Sequence, residues 1–141
     1  MEISDVRKGL HNAMARGRQR SADRRDRTDA ASRAFDAFLD TIAVPLVRQI
    51  ANVLRAERYA FSVFTPAGSV RLMSDRSAED FIEVTLDTVG DTPRVVARTS
   101  RRRGQRVVDI EHVVASGDPA AITEEELFRF LLRELEQFVE K

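Results

Sequence analysis

The chain contains no cysteine, no tryptophan and only one tyrosine. Without thiols there is no disulfide scaffold, no thiol nucleophile and no thiolate metal site. The fold must then rest on a hydrophobic core, and a reducing, cytoplasmic setting is expected. Histidine is scarce as well. With only His11 and His112, a transition-metal site would need carboxylates, and no ligand spacing suggests one. Net charge is zero, which argues against coating nucleic acid or an anionic membrane by bulk attraction. No uninterrupted apolar run approaches the ~20 residues of a membrane span. Arg7 and Lys8 are followed by no apolar segment, so no secretory signal is expected. A Gly-rich phosphate loop, a G-x-S-x-G elbow and an H-E-x-x-H pair are also missing. No metal or cofactor is implied, and the reading is of a non-catalytic protein.

What is present is enough apolar material for one core. Of 141 residues, 43% are hydrophobic and 33% charged, which excludes a globally disordered chain. Charge is unevenly placed. Residues 1–34 hold nine Arg or Lys against five Asp or Glu, and residues 118–141 hold seven acids against three bases. A basic head and an acidic tail attract each other, within one chain or between two copies.

The first 29 residues read as a basic polar arm, helical and dependent on a partner. Val6, Leu10 and Met14 recur at four-residue spacing, but Gly9 and Gly17 weaken the helix, and only Ala22 is apolar between residues 16 and 29. Such a segment has no face of its own to bury. From residue 30 to 141 the pattern is that of a single α+β domain. Phe35, Phe38, Leu39, Ile42, Leu46, Ile50, Val53 and Leu54 form one stripe with a 3.6-residue period, which predicts a long amphipathic helix to about Arg58. Pro45 lacks an amide donor and clashes with the Thr41 carbonyl, so a kink or break is expected near residues 41–45.

The period then switches to two. Short alternating runs begin near Tyr59, Val70, Ile82, Val95 and Val107, separated by turn residues such as Thr65-Pro-Ala-Gly-Ser69 and Gly90-Asp-Thr-Pro93. They predict an antiparallel meander of about five strands. One face carries Tyr59, Phe61, Val63, Leu72, Ile82, Val84, Leu86, Val108 and Ile110. The other carries Ser62, Glu83, Thr85, Asp87, Arg98, Ser100, Asp109 and Glu111. A sheet with one dry face takes helices on that face only, giving a two-layer sandwich. The final helix opens with a capping box, Thr123 to Glu126, and its broad apolar arc runs from Leu127 through Phe128, Leu131, Leu132 and Leu135 to Val139.

Three places invite a functional reading. The Arg-rich hairpin tip, Arg101, Arg102, Arg103 and Arg106, offers guanidinium forks that match phosphates, which would suit nucleic acid. The plainer reading is a solvated turn that keeps an edge hairpin soluble, and no aromatic is interleaved for base stacking. In the arm, Val6, Leu10 and Met14 would pack on a second copy or on another protein. A small-ligand pocket between sheet and helices, near Tyr59 and His112, is the third. His112 shares the register of Val108 and Ile110 and so points toward the core or its rim. Glu83, Asp87, Asp109 and Glu111 on the polar face read as solvated carboxylates, with Arg98 placed to pair with Asp109 or Glu111. Taken together, these features favour a protein–protein interaction module that forms a homo-oligomer, with nucleic-acid contact through the Arg-rich arm and the hairpin tip, or small-ligand binding between sheet and helices, as the alternatives and no membrane partner.

Overall fold

Helical periodicity and a breaking proline compete between residues 35 and 56, and the helix wins. In the computed structural model, which describes residues 1–139, α1 spans Ile3–Phe38 and α2 spans Val44–Ala56. A single π-helical turn, Leu39–Ala43, joins them. Val44 donates to the Leu39 carbonyl, five residues back, and the Thr41 hydroxyl donates to the Ala37 carbonyl at 2.7 Å. The widened turn re-routes the hydrogen bonds just ahead of Pro45, so the ring is accommodated without ending the helix. The expected break at residues 41–45 is therefore a register slip within one continuous helix. Beyond Ala56 the chain turns away at Arg58, which takes a positive φ of 70°, and the Tyr59 amide donates back to the Leu54 carbonyl at 2.8 Å.

Five strands follow: β1 (Phe61–Phe64), β2 (Ser69–Ser74), β3 (Phe81–Asp87), β4 (Arg94–Arg103) and β5 (Arg106–Val113). They pair antiparallel in sequence order, as a meander. The registers Val63 with Leu72, Leu72 with Ile82, Ile82 with Thr99, and Thr99 with Ile110 run across one face. Side chains alternate along each strand, so this register puts Phe61, Val63, Leu72, Ile82, Val84 and Leu86 on the helix side. α3 (Glu124–Val139) closes the layer over that same side. Its capping box forms as expected. The Glu126 amide donates to the Thr123 hydroxyl at 3.2 Å, and the Thr123 amide donates to the Glu126 carboxylate at 3.0 Å.

One core unites contributions from both layers: Phe35, Phe38 and Val47 from the long helix, Leu72, Ile82, Val84 and Val95 from the sheet, and Leu127, Leu131 and Leu135 from α3. Each such side chain contributes ~1.5–3 kcal/mol on burial. A polar link crosses the layer, where the Thr99 hydroxyl donates to the buried Glu134 carboxylate at 3.1 Å. It satisfies a carboxylate that would otherwise be costly to bury.

Two departures from the alternating pattern stand out. β5 is exposed on both faces apart from the half-buried Val108, and Ile110 is 42% exposed although it lies on the helix side. Two helices side by side, each about 10 Å across, cover only about four strands at ~4.8 Å spacing. On the opposite face Phe81 and Val96 are buried with no second layer above them. The Arg71 and Arg98 guanidinium carbons sit 4.4 Å and 5.1 Å from the Phe81 ring centre, covering it. Arg71 is in turn held by Glu83 at 2.9 Å.

Gly117 locks the entry to β4 against the exit of β5. It is buried with φ +78°, and its carbonyl accepts from the Val95 amide at 2.8 Å. A Cβ there would lie 2.9 Å from Val113 Cγ1 and 3.1 Å from Arg94 Cβ. Strain at positive φ and the close contact act together, so Gly117→Ala is expected to cost about 2 kcal/mol of stability in urea unfolding.

Candidate functional site

Residues 3 to about 26 of α1 leave the body of the protein. The helix first meets it around Arg27–Ala34, which faces residues 92–94 and 116–120 across a cleft of 640 Å³. N-terminal to that point the arm runs on as helix for roughly 35 Å at 1.5 Å per residue. Its apolar side chains have nothing to cover them: Ile3 is 77% exposed, Val6 43%, Leu10 58% and Met14 56%. Helical spacing sets these four along one side. The Gln19 amide donates to the Asp23 carboxylate at 2.9 Å. The ion pairs among the described residues all lie in the domain rather than in the arm.

A second unpartnered apolar surface lies on the outer seam between α2 and α3. Leu46, Ile50 and Val53 from one helix and Phe128, Leu132 and Leu135 from the other line a groove of 470 Å³. Val53, Phe128 and Leu132 are 62%, 42% and 46% exposed. Gln49 and Glu136 add polar groups to its lining. All six lie in the apolar stripes of the sequence; Leu46, Ile50 and Leu135 are buried core side chains as those stripes predict, whereas Val53, Phe128 and Leu132 are not. The usable signal was the width of the α3 arc, since one side of a helix does not bury apolar residues over so wide an angle.

The hairpin tip is built as expected around Gly104 at φ +62°, with Arg103 opposite Arg106. The four arginines do not form one patch. Arg101, Arg103 and Arg106 share the helix side of the pleat, and Arg102 lies on the other side. Arg101 Nη1 donates to the Gln137 carbonyl at 3.3 Å. Arg102 Nε donates to the Gly104 carbonyl at 3.0 Å, and its Nη1 lies 3.3 Å from the Glu79 carboxylate. Half of the cluster is thus engaged within the fold.

The pairing of Tyr59 with His112 around one pocket needs correcting. Tyr59 precedes β1 and His112 lies on β5, the two opposite edges of the sheet, so about 19 Å of strands separates them. His112 stands opposite Ala97 on the helix side but is exposed, because the helices stop short of β5. Tyr59 instead lines a 360 Å³ pocket with Ser74, Arg76, Asp80 and Phe138. On the outer face Arg98 Nε lies 3.5 Å from the Asp109 carboxylate, as the cross-strand spacing suggested. Among the described residues no group of His, Asp and Glu could hold a metal ion.

Part of the long helix is long and apolar enough to match a membrane span by length and composition. Its apolar residues Phe35, Phe38, Leu39, Val47 and Ile50 are buried in the core. Comparison with known protein families, with curated proteins and with solved structures finds no match to this chain.

Proposed function

We propose that this chain is a non-catalytic protein–protein interaction module that associates with itself through its N-terminal arm. The observation that carries the reading is the exposed row Ile3, Val6, Leu10 and Met14 on a helix that projects free of its own domain. A solitary helix is marginal in water, and most helical stability comes from packing an amphipathic face. An arm of this kind gains most when a partner covers it. A second copy offers such a partner, together with an acidic C-terminal helix to meet the basic arm. A cytoplasmic setting suits a chain that folds without a disulfide.

Nucleic-acid contact at the hairpin tip has weaker support, since Arg101 and Arg102 already donate within the fold. Light scattering over a range of concentrations tests the main reading. The expected result is a particle of twice the 15.9 kDa chain mass, with self-association that weakens as the protein is diluted. A 15.9 kDa particle at every concentration, unchanged by removal of residues 1–28, contradicts it.

A further inference from the structure

Resting on that self-association, we infer that the groove between α2 and α3 is the receptor for the arm of a second copy of this chain. The occupant is the row Ile3, Val6, Leu10 and Met14. Three observations on the two surfaces support the match.

The first is length. Ile3 to Met14 is a rise of ~17 Å along a helix, and Phe128 to Val139, the α3 wall of the groove, is the same ~17 Å. The second is charge. Residues 1–29 hold eight Arg or Lys against five acids, while α3 holds five Glu against two Arg. Arg7 borders the apolar row between Val6 and Leu10, and Glu136 lines the groove. Opposite charges at the rim of an apolar contact favour the right orientation and a fast encounter.

The third is reach. Arm and α2 are parts of one continuous helix, Ile3–Ala56. Met14 and Leu46 lie 32 residues apart on it, ~48 Å along its axis. The arm therefore cannot fold back into its own groove without breaking that helix. A second copy can supply the arm, and two copies can exchange arms reciprocally. Such an exchange closes with two-fold symmetry and leaves neither arm nor groove unpaired.

The absence of cysteine makes the test clean. Single variants Leu10→Cys and Leu132→Cys replace exposed side chains, and circular dichroism checks that each remains folded. The two are mixed, equilibrated and treated with a short bismaleimide. The expected product is a cross-linked Leu10→Cys/Leu132→Cys pair, with none above background when Leu10→Cys is mixed with Val113→Cys on the opposite sheet face. Val53→Asp, at a side chain 62% exposed in the groove, is expected to weaken dimerisation by about tenfold or more without unfolding the domain. A dimer that yields only Leu10→Cys self-pairs, or whose affinity is unchanged by Val53→Asp, overturns the groove assignment and leaves self-association standing. A monomer by light scattering overturns both.

Discussion

Removal of residues 1–28 is expected to leave a folded monomer with the same core and much less helix. α1 would keep ten of its 36 residues, and Phe35 and Phe38, its buried side chains, would stay in place. The residues removed are not part of the core, so the isolated domain should unfold within about 1 kcal/mol of the dissociated full-length chain, as surface changes generally do. The helical signal at 222 nm should fall sharply. The thermal midpoint tells the two forms apart. A self-associating full-length chain gains stability with concentration by mass action, so its midpoint should climb on concentrating the sample. The truncated chain should melt at one temperature throughout. A truncated chain that fails to fold would place the arm inside the domain's own stability, against the burial pattern described above.

Leu131→Ala is expected to be among the most destabilising substitutions in α3. Leu131 is 1% exposed and belongs to the single core shared by both helices and the sheet. Truncating it removes transfer energy and leaves a cavity, for a loss of about 2–5 kcal/mol. Against a typical domain stability of ~5–15 kcal/mol, that is a large fraction. The neighbouring position gives the contrast. Leu132 is 46% exposed and lines the outer groove. Leu132→Ala should cost the domain less than ~1 kcal/mol in urea unfolding while weakening self-association. If the two variants unfold alike, the division of α3 into a core side and a docking side is wrong.

The strongest local patterns were readable in advance because their physics is local. The capping box of Thr123 and Glu126, the alternation of Ile82, Val84 and Leu86, and the turn at Gly104 each depend on a few neighbouring residues. The two-layer arrangement followed, because one face of the sheet is dry and both helices carry apolar stripes. Features that depend on how elements meet were not readable. Pro45 signals disruption, but whether the helix breaks or slips into a π turn is decided by what holds both ends, here a core that includes Phe38 and Val47. Val108 and Ile110 alternate like any buried strand, and only the width of two helices leaves β5 bare. Phe81 sits on the polar face and is buried by Arg71 and Arg98, a shield that no periodicity reveals. The arm residues Val6, Leu10 and Met14 could be picked out because nothing around them in sequence explained an apolar row. The groove could not, since Val53, Phe128 and Leu132 belong to the same stripes as true core residues.

The central claim is that the arm's helix is held in place by another copy rather than by its own domain. Amide hydrogen exchange over residues 3–28, measured at low and high protein concentration, tests it most directly. A lone helix opens readily and exchanges fast, whereas a docked one opens only as the complex comes apart. The account predicts fast exchange in dilute samples and marked slowing on concentration, with the amides around Leu10 slowed most. Exchange that is equally fast, or equally slow, at every concentration would contradict it.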